Sequence, residues 1–248
     1  MDRPILFSGP MVRALIAGHK TQTRRVITKA RTLAIPDAPA FTLSGDELAR
    51  AMQNASDFRR FDGDMWTWKA DAFEHQAPAS RTNWHAHLGH APGDRLWVRE
   101  AWRCNGWATD VATIFYRASE RDGYTAMCEQ YPVADHEPLR ITTTWRPGIH
   151  MPRWASRLTL TVTDVRVERL QDISEEDCIA EGAEISHAAG TIGGPLVYTD
   201  VANVYATPRN WYRTLWDSIN GAGAWDANPW IVAYSFTVER QNIDGSKR

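Results

Sequence analysis

Residues 157–167 constrain the fold more than any other stretch of the chain. Leu158, Leu160 and Val162 alternate, and the phase then changes to Val165 and Val167. Strict alternation is the period of a strand with one buried face. A change of phase without loss of apolar character is what one extra residue in a ladder produces, so a long strand with a bulge or sharp bend near Asp164 is expected. A second long alternation, Trp230, Val232, Tyr234, Phe236 and Val238, follows Pro229 near the end of the chain. Shorter strands are expected at Trp66 to Trp68, at residues 95–102 with Leu96, Val98 and Glu100 on one face, and at 112–117 with Ile114 and Tyr116 on one side. A carboxylate such as Glu100, continuing an apolar face, either ends the buried part or points into a pocket.

Helical spacing is confined to a few segments. Residues 10–17 place Met11 and Leu15, and also Val12 and Ile16, four apart, and Gly18 supplies the left-handed residue on which a helix stops. Ser44 with Glu47 marks a short helix at 44–54, and Ser174 with Asp177 caps another that Gly182 closes. Thr207 and Pro208 begin a helix through Ile219, with Trp211, Leu215, Ile219 and Tyr212, Trp216 forming its apolar stripe. A polar excursion is expected from 117 to about 140. Residues 145–154, with Pro147, Gly148 and Pro152, read as an irregular, rigid loop. Strands outnumber helices and do not alternate with them as crossover units do, so the expected fold is α+β. It is drawn as a small, mainly antiparallel barrel with helices covering its openings. One domain over 1–240 is expected, enlarged by insertions at about 28–92 and 183–207, with a disordered tail at 241–248.

Composition excludes several classes of function. A formal net charge of -2 argues against a general nucleic-acid coat, which needs a clustered excess of Lys and Arg, while leaving a local basic patch open. Cys104, Cys128 and Cys178 are scattered and odd in number, which fits a reducing cytoplasm better than a disulfide framework. No stretch approaches the length of a membrane span, so neither export signal nor anchor is expected. His85, His87 and His90 form H-x-H-x-x-H, but without a Cys or carboxylate set at supporting spacing, so no metal and no cofactor is expected. The 12 tryptophans serve either as core or as platforms for flat ligands.

The chemistry-bearing stretch is Gly18-His19-Lys20-Thr21-Gln22-Thr23-Arg24-Arg25. If the backbone turns after Gly18, Lys20 and Thr23 converge on one point; in a flat strand their odd spacing would place them on opposite faces. A basic group beside a hydroxyl is what covalent acyl chemistry needs, because an isolated threonine hydroxyl is hardly ionised near neutral pH. The plainer reading of the same residues is a solvated basic turn after a helix. Glu181 occupies the last turn of the helix capped by Ser174, where the helix dipole disfavours a negative charge, a setting that suits a proton donor.

Gly18, Lys20, Thr23 and Arg25 match the G-x-K-x-x-T-x-R pattern of ASCH-domain proteins, and the strand at 93–98, the segment 170–182 and the closing strand from Trp230 follow in that family's order. The chain resembles the longer members, often carried by bacteriophages. The resemblance implies a barrel related to the PUA domain. It also implies an amidohydrolase that removes the acyl group from the exocyclic nitrogen of N(4)-acylated cytosine, cytidine or deoxycytidine. Thr23 would be the nucleophile, Lys20 its base and Glu181 the family's glutamate. Arg25 would stabilise the oxyanion, Trp102 or Trp154 would stack on the pyrimidine, and Glu100 would face the substrate. The partner would be a small acylated nucleoside or base, with weak RNA binding. An RNA-binding PUA-like module and a ribonuclease are the alternatives on the same fold.

Overall fold

The computed structural model describes residues 1–27, 30–32, 53, 57–62, 65–69, 84–121, 124–125, 128–133, 136–183, 185–186, 197–199, 204–205 and 207–245. In chain order the elements that build the centre are β1 (Asp2–Leu6), α1 (Gly9–Ala17), β2 (Gln22–Val26) and β3 (Arg95–Arg99). They are followed by β4 (Trp102–Trp107), β5 (Val111–Tyr116), β6 (Cys128–Pro132), β7 (Thr159–Arg169), α2 (Glu175–Ala180), α3 (Pro208–Asn220) and β8 (Trp230–Glu239). Five strands make the central sheet in the order β1-β3-β7-β8-β2. Only the β1–β3 pair is parallel; the other neighbours are antiparallel. Strands β6-β5-β4 form a separate antiparallel sheet. The protein is therefore α+β, with mostly antiparallel sheets and few helices.

The expected closure into a barrel is not made in hydrogen bonds, since β1 and β2 end the central sheet as its two edges. A side chain spans the gap instead, with Arg25 Nη2 donating to the Leu6 carbonyl at 2.8 Å. The phase change in β7 is real: its register with β8 slips between Val162 and Asp164, so Val162 and Val165 both reach the core. In β8 the expected single apolar face is replaced by burial on both, with Ile231, Val232, Ala233 and Tyr234 all covered, because the strand lies between β7 and β2 and has layers on either side. Such two-faced burial overrides simple alternation.

The strand expected at 95–102 is split at Glu100 and Ala101. There the chain leaves the central sheet for the second one, and each sheet has its own apolar core. The first gathers Val12, Leu15, Leu96, Leu160, Ile231 and their neighbours. The second gathers Trp102, Cys104, Ile114, Tyr116 and Met151. Arg157 joins the two, donating to Glu100 through Nε at 2.8 Å and Nη2 at 3.0 Å, to Ser119 at 2.8 Å, and stacking 4.1 Å over the Tyr116 ring. Burial pushes the Glu100 carboxyl above its ordinary range, with Arg157 opposing.

The excursion at 117–140 is not wholly irregular, because β6 pairs with β5 along its length. Residues 28–92 hold a four-stranded antiparallel sheet, which includes the expected Trp66 to Trp68 strand as Met65–Lys69. The helix expected at 44–54 lies outside the described residues except for Gln53, whose side chain donates to Ile27 O and accepts from Trp230 N–H. The helix ends follow the sequence closely. Gly18 is left-handed at φ 79°, Ser174 accepts from Asp177 N–H, and Thr207 accepts from Asn210 N–H. Ile219, expected on the buried stripe of α3, is 54% exposed. Among the described residues, no helix is long and apolar enough to cross a membrane.

The tail departs from expectation. Residues 241–245 pack: Ile243 is 1% exposed, and the Asn242 amide donates to the carbonyls of Arg153, Trp154 and Ser156. A short polar stretch with one apolar residue gives no periodicity to read, yet that one residue fills a hole. Ile243→Ala is expected to cost about 2–4 kcal/mol, read as a lowered urea midpoint; a solvated tail would show no change.

Candidate active site

The residues singled out from the octet arrive at one place for local reasons. Gly18 closes α1 in the left-handed conformation, letting His19 and Lys20 N–H groups fold back onto Ala14 O at 2.9 and 3.2 Å. The chain is thereby turned so that Lys20 points inward before β2 begins. Thr21 then bonds on both sides, its N–H to Ala180 O at 2.8 Å and its carbonyl to Phe236 N–H at 2.9 Å. The end of α2 is thus fastened directly beside Lys20. Gly182, at φ 110°, completes the contact: a Cβ there would lie 3.1 Å from Ala14 Cβ and 3.5 Å from Lys20 Cβ. Close approach and backbone conformation both require glycine at this position.

Lys20 is 1% exposed and Glu181 3%. Lys20 Nζ donates to Glu181 Oε2 at 2.5 Å and to the Glu181 carbonyl at 2.8 Å. The other carboxylate oxygen accepts from Arg24 Nη1 at 3.2 Å and from the Tyr212 hydroxyl at 3.5 Å. Arg24 is held in turn by Glu168 and Asp177, at 2.8 and 2.7 Å. Burial works against the Arg24 charge, but Glu181 and its other partners outweigh it and keep the guanidinium protonated. Lys20 has the opposite balance. Burial lowers its pKa below the ordinary 10.5; Glu181 opposes, and Arg25 and Arg24 add to the lowering.

Lys20, Thr23, Arg24, Arg25 and Glu181 all line one open cavity of about 500 Å³, within the usual size for small-molecule sites. Its lining draws on both edges of the central sheet, Leu6 and Phe7 at the end of β1 and Thr23 to Val26 of β2. Thr23 and Arg25, two apart on β2, share a strand face. Thr23 is 3% exposed. Arg25 lies 5.4 Å over the Phe7 ring and Lys20 5.8 Å from the same ring. Tyr212, Leu215, Trp216 and Ile219 of α3 form an apolar wall, which explains why Ile219 is exposed: its stripe faces the cavity.

Three expected site residues are elsewhere. Glu100 is buried against Arg157, Trp102 is fully enclosed in the second core, and Trp154 is packed among His136, Tyr131 and Trp107. None lines the cavity. The signals misled because a carboxylate ending an apolar face and a tryptophan in a proline-rich loop serve equally well to join and fill a second core. What the sequence reading missed is the first turn of α1, where Ser8 and Gly9 line the cavity, and Gly148. Gly148 marks a close approach: a Cβ there would meet Leu6 Cδ1 at 2.8 Å and the Glu100 backbone at 3.0 Å. The cue was present in Pro147-Gly148 as a turn, but its partner lies some 140 residues away in sequence.

Among the described residues, no group of three or more His, Cys, Asp or Glu is placed to hold a metal ion. The side chains of His85 and His87 are outside the described residues; His90 packs edge-on to Tyr234. Cys104 and Cys178 are buried free thiols and Cys128 an exposed one. No family model, no curated protein and no solved structure matches the chain.

Gly182→Ala tests the packing that positions Lys20. Strain at a positive φ and the 3.1 Å contact with Ala14 together are expected to cost about 1–3 kcal/mol. The measurement is a urea unfolding curve, on which an unchanged midpoint would contradict this account.

Proposed function

We propose that the cavity is the active site of an amidohydrolase acting on an N(4)-acylated cytosine, cytidine or deoxycytidine, and that the chain is a PUA-like, ASCH-type domain. The observation that carries the reading is a buried amine and a threonine that line one open cavity, with a carboxylate on the amine. A neutral amine has two N–H groups and one lone pair. In that state both N–H groups of Lys20 would be taken by Glu181, one on the carboxylate and one on the carbonyl, and the lone pair would be left to accept the Thr23 proton.

Thr23 Oγ1 attacks the acyl carbon as Lys20 takes its proton, and the tetrahedral oxyanion forms beside Arg25. Collapse breaks the C–N bond. The cytosine amine leaves with a proton delivered from the Lys20–Glu181 pair, and the acyl group remains as an ester on Thr23. Water then attacks the ester, passes a proton to Lys20, and releases the carboxylic acid and the free hydroxyl. Burial of Lys20 serves both halves, since each needs the amine uncharged at its start.

Thr23→Ala and Lys20→Ala are each expected to lower release of cytidine from N(4)-acetylcytidine by about a thousandfold or more, Thr23→Ala with little loss of stability and Lys20→Ala with a lowered urea midpoint as well, because it strands the buried Glu181 carboxylate. Full turnover in both variants would end the reading, and RNA cleavage surviving Thr23→Ala would favour a ribonuclease. The pH profile follows from the sign of the Lys20 shift. A base works deprotonated, so kcat/KM should rise with pH along a limb centred below 10.5. Arg25 contributes to lowering the Lys20 pKa, so Arg25→Gln should move that limb to higher pH whatever it does to the maximum rate. A limb that stays in place would mean that Lys20 is not the titrating base.

A further inference from the structure

Helix α3 presents one continuous apolar face to the cavity. Leu215, Trp216 and Ile219 follow Tyr212 at the spacing of a single helical stripe, and all four residues line the cavity. Seven residues of α-helix rise by about 10 Å, which is the length of the stripe. It begins at the reacting groups and leads away from them. The Tyr212 hydroxyl lies 3.5 Å from Glu181 Oε1, and the other oxygen of that carboxylate holds Lys20 Nζ. Arg24 is bonded to the same carboxylate, and Arg25 and Lys20 share the Phe7 ring, so the charged groups of the lining are gathered at the Tyr212 end.

The far end of the stripe is open to water. Ile219, about two turns along from Tyr212, is 54% exposed. Among the described residues five large hydrophobic side chains are exposed, and a second of them, Leu6 at 52%, also lines the cavity. Exposed apolar side chains scattered singly are ordinary. Two that continue the lining of a cavity of ligand size are a surface that an apolar part of the ligand would cover.

We infer that the stripe on α3 is an acyl-chain subsite, so that the favoured substrate carries a medium-length alkyl chain on its carbonyl and not an acetyl group. This rests on the amidohydrolase reading, to which it adds the nature of the acyl group. The carbonyl carbon has to lie at Thr23, close to the charged end, and what it carries must then run along one of the walls. A cytosine and its sugar have donors and acceptors on most of their edges, and laying them against four apolar side chains would leave those groups unpaired. An alkyl chain has none. An extended chain advances roughly 1.2 Å per bond, a third of the span of one polypeptide residue, so about eight carbons cover the stripe, whereas an acetyl group stops at its beginning.

The test is a series of N(4)-acylcytidines bearing acetyl, butanoyl, hexanoyl, octanoyl and decanoyl groups. It is read as kcat/KM with the full chain, and as calorimetric affinity for the Thr23→Ala protein, which cannot form the acyl-enzyme. Both are expected to rise about threefold to fourfold per methylene as far as octanoyl, and to level off at decanoyl, whose end passes Ile219. Ile219→Ser, a substitution on an exposed side chain, should lower the octanoyl-to-acetyl ratio about tenfold. Ile141→Ser, on an equally exposed isoleucine outside the cavity lining, should leave that ratio unchanged. Turnover that is flat or falls with chain length would overturn the inference and leave the amidohydrolase standing. A rise that Ile219→Ser does not flatten would overturn it as well, because the chain would then lie elsewhere. Affinity that rises with chain length, in a protein that turns over no member of the series, would keep the apolar subsite and remove the amidohydrolase. Neither turnover nor binding of any member would remove both.

Discussion

The contact between Lys20 and Glu181 is the constraint around which this molecule is arranged. An amine that is 1% exposed cannot hold a full charge without a partner, and a carboxylate that is 3% exposed cannot either. Each is therefore bound to the other across 161 residues of sequence. Fixing that contact needs the left-handed stop at Gly18, the absence of a side chain at Gly182, and the Thr21 hydrogen bonds that clamp the loop between α2 and β8. Arg24 then supplies the second cation that the carboxylate can accept, and is itself held by Glu168 on β7 and Asp177 on α2. The ion cluster thereby ties the first turn of the chain to its later half.

The gap between the sheet edges acquires its use from this arrangement. Two edge strands left unpaired are ordinarily a liability, because their free N–H and C=O groups invite further strands. Here α1 crosses from one edge to the other, Arg25 bonds to the Leu6 carbonyl, and the space left over is the cavity. The second sheet contributes the far side through Ala101 and Gly148. Gly148 can approach Leu6 and Glu100 so closely only because it has no Cβ. The open seam of the sheet and the cavity are the same feature.

What could be read in the sequence was what depends on neighbours in the chain. Gly18 after an apolar spacing of four, Ser174 three before Asp177, Thr207 before Pro208, and the change of phase in β7 are each settled within a few residues, and each is present. Lys20, Thr23 and Glu181 were legible as residue types in suggestive settings, and they line one cavity. Trp102, Trp154 and Glu100 do not line that cavity, because a ring or a carboxylate at the end of an apolar run carries no mark of which core it will enter. Ile243 and Gly148 escaped for the complementary reason. Their partners are far away in sequence, and neither a lone isoleucine in a polar tail nor a glycine after proline announces a distant contact.

Two buried ion clusters occur among the described residues, and they differ in their relation to the cavity. Glu100 and Arg157 are saturated: both carboxylate oxygens accept, the guanidinium also holds Ser119 and stacks on Tyr116, and neither residue lines the cavity. Such a pair has nothing left to offer a ligand, and removing one partner would strand the other's charge. The Lys20 cluster, by contrast, lines the cavity. Burial pushes the Lys20 amine toward the neutral state relative to a free lysine, with Glu181 opposing, and Lys20 lines the cavity together with Thr23. Stability alone favours closing such gaps with packed apolar groups. A chain that keeps a buried amine and an alcohol at the wall of an open cavity forgoes that packing there.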